Sequence, residues 1–203
     1  MLATTQDVFA ASAVSGRVID DQGKPIAGAV VFVQEPLSDG ASGKQTAIMD
    51  QFNKTFIPAV LPVVVGTQVR FPNRDQIRHH VYSFSRTKRF ELPLYRGEEA
   101  PPVTFDKPGV VQIGCNIHDW MSAVILVLPN SHFAVTDESG AFTLEDVPEG
   151  SYSLAAWHER SRAKIEDTSK HVQAGTDVSD LTFQLALSAP KPRATTRGSR
   201  GEP

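Results

Sequence analysis

The sequence contains a single cysteine, which excludes an internal disulfide and a zinc site built from thiolates alone. The net charge is only −3 over 203 residues, and without a basic excess nucleic acid is disfavoured as a partner. No apolar run approaches the roughly 18–20 residues that a membrane-spanning helix needs, so we predict no transmembrane segment. Fourteen glycines, fourteen prolines and few long helical patterns favour a turn-rich, all-β chain.

The two ends of the chain carry weaker signals. Residues 1–13 lack the basic and apolar regions of a secretory signal, although they end in Ala11-Ser12-Ala13, the small-residue pattern of a cleavage site. They fit either the stub of an export signal or an ordinary N-terminus. Residues 188–203 are rich in Pro, Arg and Gly without periodicity, which predicts a disordered tail.

Two segments that lie about a hundred residues apart alternate short strands with Gly- and Pro-containing turns. Their text, over residues 20–31 and 136–154, resembles the carboxypeptidase regulatory-like, or transthyretin-like, β-sandwich. The resemblance implies one discontinuous domain, made of residues 14–36 and 131–187. Residues 37–130 would then be a second domain inserted into a loop of the first, because a first hairpin standing alone would be marginal in water.

The inserted segment holds a cluster of soft donor atoms. Cys115, His118 and Met121 supply a thiolate, an imidazole and a thioether within seven residues. Upstream, either His79 or His80 can supply a second imidazole. Two imidazoles, one thiolate and a weak axial thioether form the ligand set of a blue-copper site. Zinc also accepts Cys and His, but its structural sites prefer further thiolate or imidazole ligands.

The same segment resembles the cupredoxins. The matching marks are V-x-x-G-x-x-V-x-F-x-N over residues 63–73, a histidine two residues before Val81, F-x-x-P-G over 105–109, and C-x-x-H-x-x-M over 115–121. The last of these has the short spacing of amicyanin. The resemblance implies a Greek-key β-sandwich that holds one type 1 copper.

The resemblance also assigns the ligands position by position. Cys115 is the equatorial thiolate, His118 the equatorial imidazole of the loop, and Met121 the axial thioether. His79 aligns with the first histidine ligand. His80 then stands where relatives usually have an asparagine that ties the ligand loops together.

The expected function is single-electron transfer between protein redox partners by a monomeric, periplasmic copper protein. We expect no enzymatic activity, because the sequence offers no second histidine-rich metal cluster. Two alternatives stay open, a copper delivery or storage protein and a non-redox interaction module of the cell envelope.

A contact surface for the partner is expected around His118. Ile117 and Trp120 flank this histidine in the sequence and predict an apolar patch. Arg74 and Arg78 precede the first histidine ligand and predict a basic docking rim for an acidic partner.

Overall fold

The computed structural model describes residues 12–37 and 45–190. Nearly all of the regular structure in these residues is β, which confirms the predicted all-β class, and a single turn of 3₁₀ helix lies at Glu166–Thr168. The strands in chain order are β1 (Ser12–Asp20), β2 (Val30–Val33), β3 (Thr46–Ile48), β4 (Asp50–Phe52), β5 (Thr55–Ile57), β6 (Val60–Val64), β7 (Gln68–Arg70), β8 (His79–Phe84), β9 (Arg89–Tyr95), β10 (Val103–Thr104), β11 (Gly109–Cys115), β12 (His118–Leu128), β13 (Phe133–Val135), β14 (Ala141–Val147), β15 (Gly150–Trp157), β16 (Lys170–Ala174) and β17 (Val178–Leu185).

The strands near the two ends of the chain pair with one another. One sheet has the order β14-β1-β17, in which β1 is antiparallel to β14 and parallel to β17. A second sheet has the order β13-β2-β15-β16. These two sheets enclose one apolar core, and we call them together the terminal sandwich.

The strands from the middle of the chain form a second set of sheets. Five strands pair in the order β6-β12-β11-β8-β9, and three pair in the order β10-β7-β3. The hairpin β4-β5 stands beside them. These sheets enclose a separate apolar core, and we call β3 to β12 the central sandwich.

The chain passes between the two sandwiches at two adjacent points. Asn130 is 1% exposed, and its side-chain amide donates to the carbonyl oxygens of Val33 at 2.9 Å and Glu35 at 2.7 Å. This side chain therefore joins the segment that leaves the terminal sandwich to the segment that returns to it.

Three strands are buried on both faces, β2 throughout, β12 from Ala123 and β15 from Leu154. This explains why these stretches are apolar without alternation. In β12, the side chains of Ile125 and Val127 enter the core of the central sandwich, whereas those of Leu126 and Leu128 point the other way. Strands β2 and β15 divide their side chains in the same manner between the terminal core and the opposite face.

The outward faces of these strands pack against each other. The shared cluster contains seven buried residues, four from the terminal sandwich and three from β12: Val30, Phe32, Ala155, Trp157, Val124, Leu126 and Leu128. The two sandwiches are thus stacked sheet on sheet across a buried apolar layer. This layer holds the second half of β12, from Val124 to Leu128. The first half of the same strand carries His118.

Two sequence predictions fall mostly outside the described residues. They are the predicted N-terminal stub, of which residues 1–11 are not described, and the predicted tail, of which residues 191–203 are not described. Residues 38–44 are not described either. Ser12 and Ala13 of the small-residue pattern lie within β1. Within the described residues, no helix has the length and apolar character required to cross a bilayer.

Candidate metal centre

The hairpin β11-β12 brings Cys115 and His118 opposite each other across a two-residue turn, Asn116-Ile117. Strand β11 alternates regularly, so Val111, Ile113 and Cys115 point into the core of the central sandwich. Cys115 is therefore a core residue, 3% exposed, at the very end of a well-packed strand.

An irregularity in β12 turns two potential ligands to the same side. Gly114 pairs with Ser122 and the next residue, Cys115, pairs with His118, so three residues of β12 have no counterpart in β11. Regular alternation would put residues 118 and 121 on opposite faces. The three unpaired residues instead let His118 and Met121 both point inward, while Trp120 points out. The sequence predicted these residues on a loop, but they belong to the strand.

His79 approaches the hairpin from the first position of β8. Along β8 the buried residues are His79, Val81 and Ser83, because a two-residue period fixes which side chains point inward. His80 points to the opposite face, where its Nε2 lies 2.9 Å from Oε1 of Glu91. In the structure, His80 thus bonds to Glu91 of β9 and points away from the β11-β12 hairpin that carries Cys115.

The side chains of His79, Cys115 and His118 converge within the central sandwich. The Cys115 Sγ lies 3.7 Å from Nδ1 of His79 and 3.6 Å from Nδ1 of His118. The centroids of the two imidazole rings are 5.0 Å apart, and one potential ligand atom from each residue lies within 4.8 Å of the others. This group can hold a metal ion.

The spacing can be tested against known coordination distances. Bonds of roughly 2.0–2.1 Å to nitrogen and 2.3 Å to sulfur, set about 120° apart, separate the two ligand atoms by about 3.7 Å. The two sulfur–nitrogen distances in this site agree with that value. The residues present therefore fit a trigonal His₂Cys site.

Met121 lies in the same apolar core as Cys115 and is 1% exposed. Both residues also line an open groove of about 490 Å³ on the other face of the five-stranded sheet. Met121 therefore packs next to the strand end that carries the thiol.

Asp75 fixes the orientation of the His79 ring. Its Oδ2 lies 2.7 Å from Nε2 of His79, and its two carboxylate oxygens accept the backbone N–H groups of Asn53 and Lys54 at 2.7 and 2.8 Å. Burial tends to raise the pKa of Asp75, but the hydrogen bonds from His79, Lys54 and Asn53 outweigh it and the pKa is lowered. The ionised carboxylate accepts the Nε2 hydrogen, which leaves the Nδ1 lone pair facing Cys115.

Asn73 supports the turn that carries Asp75. Its Oδ1 accepts the backbone N–H of Asp75 at 3.0 Å, and its Nδ2 donates to the carbonyl oxygens of Ile77 and Tyr95, each at 2.9 Å. Asn73 belongs to the cupredoxin-like motif found in the sequence. Asp75, four residues before His79, was missed, and its only sequence signal is that spacing.

Tyr95 closes the inner side of the site. It pairs with His79 across β8 and β9, and its hydroxyl donates to the Phe71 carbonyl oxygen at 2.6 Å while accepting from Nε2 of Gln51 at 2.6 Å. Burial raises the pKa of Tyr95 to about 12, although the bond from Gln51 opposes this change. The phenol is therefore neutral, and its hydroxyl holds the Phe71 carbonyl group and the Gln51 side chain.

His118 lies at the edge of the site and is 9% exposed. Burial lowers the pKa of His118 below 6.5, the charges of His79 and Lys54 lower it further, and the charge of Asp75 opposes them. A lowered pKa keeps the imidazole neutral, which is the form that binds metals. The Trp120 ring lies 5.3 Å from the His118 ring, and Trp120 and Ile117 are both about half exposed.

Of the two arginines predicted to form a basic rim, Arg74 is already in an ion pair and Arg78, among the described residues, is not. The Arg74 guanidinium pairs with the Asp50 carboxylate and stands 5.9 Å above the Phe52 ring. Arg78 is exposed, and no ion pair involving it occurs among residues 12–37 and 45–190.

No protein-family model matches the chain, and no curated protein matches it. Among solved structures, it is similar to the purple cupredoxin from Nitrosopumilus maritimus, with 23% identity and a TM-score of 0.36, over 41% of this chain and 99% of that chain. It is similar to an oxidized mutant of amicyanin, with 22% identity and a TM-score of 0.37, over 49% of this chain and 98% of that chain. Neither is a transthyretin-like protein, so that resemblance stays a prediction.

A third similar structure corrects the expectation that the chain is not an enzyme. It is a Cu-containing nitrite reductase from Thermus scotoductus, with 30% identity and a TM-score of 0.37, over 46% of this chain and 25% of that chain. The expectation was wrong in its reasoning, because a redox-active metal can deliver electrons to a reaction as well as to another protein. The lack of a second metal cluster in the sequence therefore does not exclude catalysis.

Proposed function

We propose that this chain binds one copper ion as a type 1 site and exchanges single electrons with protein partners. The ligands in this proposal are His79, Cys115, His118 and Met121. The observation that carries it is the buried thiol with two imidazole Nδ1 atoms at 3.6 and 3.7 Å. Copper bound by these residues would supply a one-electron couple between its cuprous and cupric forms. Thiolate and thioether together favour copper over zinc or a hard cation.

The protein's part in this function is to hold the donor atoms still. Cys115 and His118 stand at the ends of paired strands, and His79 is fixed by the Asp75 carboxylate. Ligands that keep their positions in both oxidation states make electron exchange fast, because little has to reorganise. The exposed fractions of His79, Cys115 and Met121 are 0%, 3% and 1%, which keeps water from the donor atoms.

The surface above His118 is the proposed place of contact with a partner. Ile117 and Trp120 are 49% and 52% exposed on either side of this histidine. An apolar patch around a ring that reaches the metal brings a partner close without placing a charge between the two redox centres. The free guanidinium of Arg78 is a candidate for steering an acidic partner to it.

The remaining parts of the proposal concern the whole chain. The terminal sandwich, in this proposal, is a transthyretin-like frame into which the central sandwich is inserted. Support comes from the pairing of β1 and β2 with strands that follow β12, and from the Asn130 bonds at the two crossing points. The periplasm is the compartment that the cupredoxin resemblance implies.

The experiment that tests this function follows copper through a redox cycle. The chain is loaded with one equivalent of cupric ion, reduced with ascorbate and re-oxidised, with a cuprous chelator present throughout. We expect the copper to be reduced and re-oxidised repeatedly while it stays bound, because the donor atoms are buried. Rapid loss of cuprous ion to the chelator would overturn electron transfer and favour copper delivery.

A further inference from the structure

The turn of the hairpin β4-β5 lies beside the candidate metal centre. It consists of two residues, Asn53 and Lys54. The backbone N–H groups of both donate to the Asp75 carboxylate, at 2.7 and 2.8 Å. The oxygen that accepts from Lys54, Oδ2, also lies 2.7 Å from Nε2 of His79. One carboxylate oxygen therefore ties the turn to the ring of a candidate ligand.

The second position of this turn is held by an unusual residue type. The φ angles of Asn53 and Lys54 are 51° and 56°, both in the left-handed region. Two-residue hairpin turns with positive φ at both positions strongly favour glycine at the second, whereas asparagine is common at the first. A lysine there is strained, because its Cβ crowds the backbone. Strain of this kind concentrates at functional sites, which gives the Lys54 side chain a claim to a role of its own.

The ammonium group of Lys54 supplies a positive charge close to His118. Lys54 is exposed, and no carboxylate pairs with it in the part of the chain that the structure describes. Burial lowers the pKa of His118 most, and the charges of His79 and Lys54 lower it further. The lysine is therefore near enough for its charge to act on the ring of a second candidate ligand.

Neighbouring charged groups are engaged in bonds or line another face. The Arg74 guanidinium is held in an ion pair by Asp50. Asp119 lines the groove on the other face of the five-stranded sheet. The Asp75 carboxylate accepts three hydrogen bonds, one of them from a candidate ligand. Lys54 thus combines an unpaired charge with a direct bond to the carboxylate that orients a ligand.

A fixed positive charge discriminates between metal ions of different charge. With the Cys115 thiolate and two neutral imidazoles, a singly charged ion gives a neutral centre. A doubly charged ion gives a centre with one positive charge, and the Lys54 ammonium repels only this second form. Because Lys54 is exposed, solvent and salt weaken the repulsion, and the expected effect on relative affinity is a few-fold one.

We propose that Lys54 sets the charge preference of the metal centre. Its ammonium group favours a singly charged ion over a doubly charged one, and it thereby raises the reduction potential of the copper couple. Only this second step rests on the proposed electron-transfer function. The bond to Asp75 holds the backbone of Lys54 in place, so the charge stands at a fixed point beside the ligands.

The charge preference is tested on the full chain before copper is added. Binding of Ag(I) and of Zn(II) is measured by competition against chelators of known affinity. We expect Lys54→Gln to lower the ratio of Ag(I) to Zn(II) affinity about threefold, and Lys54→Glu to lower it about tenfold. Lys54→Arg should keep the wild-type ratio. So should the control Lys24→Gln, which removes an exposed charge from the terminal sandwich. Equal ratios in Lys54→Gln and Lys24→Gln would overturn the proposal.

Lys54→Gly separates the charge from the strain of the turn. Glycine adopts the left-handed backbone without steric cost, so this variant removes the charge and relaxes the turn together. If the charge acts, Lys54→Gly and Lys54→Gln should lower the affinity ratio equally. A change confined to Lys54→Gly would assign the effect to the turn and overturn the proposal.

The step that concerns copper is tested by the reduction potential of the copper-loaded protein. We expect the potential to fall in Lys54→Gln and to fall further in Lys54→Glu, while the visible spectrum stays that of the wild type. These differences should shrink as salt is added. A potential in Lys54→Gln equal to that of Lys24→Gln would overturn this step. If the wild-type chain held no redox-active copper, the proposed function itself would fail, and the Ag(I) and Zn(II) affinities would still decide the role of Lys54.

Discussion

Each of the two sandwiches contains an aspartate that accepts two backbone N–H groups and one side-chain hydrogen. In the terminal sandwich, Asp137 accepts from the backbone of Ser139 and Ala141 and from the Ser139 hydroxyl. In the central sandwich, Asp75 accepts from the backbone of two turn residues and from the His79 ring. The pKa of each carboxyl is lowered from 3.8.

The two aspartates differ in what their third bond holds. The bond from Ser139 to Asp137 closes a local turn, and this turn contacts no candidate ligand. The bond from His79 to Asp75 orients a ring whose other nitrogen faces a buried thiol. The same hydrogen-bond arrangement therefore stabilises a turn in one sandwich and orients the ring of a candidate metal ligand in the other. The side chain that donates the third bond makes the difference.

Strand β12 is what ties the two sandwiches together, and Leu126→Ala tests this link. Leu126 is 1% exposed in the shared cluster, so its truncation should lower the free energy of unfolding by about 2–5 kcal/mol. Urea unfolding followed by fluorescence measures this. Leu94→Ala, at a half-exposed position, is the matched control and should change stability by at most about 0.5 kcal/mol. A small effect at Leu126 would mean that the sandwiches are not mutually stabilised.

Asp75→Asn and Asp137→Asn test whether the two aspartates differ in their effect on copper binding. We expect Asp75→Asn to weaken cupric-ion binding about 10–100-fold, because the neutral amide no longer fixes the charge and tautomer of His79. Competition against a chelator of known affinity measures it. Asp137→Asn should bind copper as the wild type does. Equal effects of the two substitutions would show that Asp75 acts only through the stability of its turn.

The pH dependence of stability tests whether the ionised carboxylate of Asp137 stabilises the fold. Its pKa is lowered chiefly by the Ser139 hydroxyl bond and further by the Ala141 N–H. A carboxyl with a lowered pKa stabilises the fold fully above its ordinary pKa of 3.8, and that contribution is lost as pH falls through the folded-state value. The stability difference between the wild type and Asp137→Asn should therefore shrink on acidification below about pH 4. A difference that stays constant with pH would contradict this account.

Trp120→Ala should have the smallest effect on stability. The side chain is 52% exposed, so the free energy of unfolding should change by no more than about 0.5 kcal/mol. Its ring contacts His118, so electron self-exchange between oxidised and reduced protein, measured from NMR line widths, should slow down. Unchanged self-exchange would place the contact surface elsewhere.

Much of the candidate site could be predicted from the sequence. Cys115, His118 and Met121 place three soft donor atoms within seven residues, and such donors restrict which metals the site could bind. The choice of His79 over His80 as the first ligand came from the cupredoxin resemblance and stays a prediction, but the structure does place His79 beside Cys115. His79 and Val81 share one face of a strand, and the valine belongs in the core. The all-β class followed from turn signals and short apolar runs.

Other features depended on long-range contacts that leave no local pattern. The irregularity that turns His118 and Met121 to one side arises only when β12 pairs with β11. The buried layer between the sandwiches joins β12 to β2 and β15, and the apolar runs alone do not identify the partner of each face. Asp75 looks like an ordinary turn residue until the fold brings His79 to it.

The proposed function requires Cys115 to be a copper thiolate held between two imidazoles. The most direct test is the visible spectrum of the metal-free protein after one equivalent of cupric ion is added, with Cys115→Ser measured beside it. We expect an intense blue band in the wild type that is absent in the variant and bleached by a mild reductant. A wild-type protein that binds copper tightly and stays colourless would contradict it.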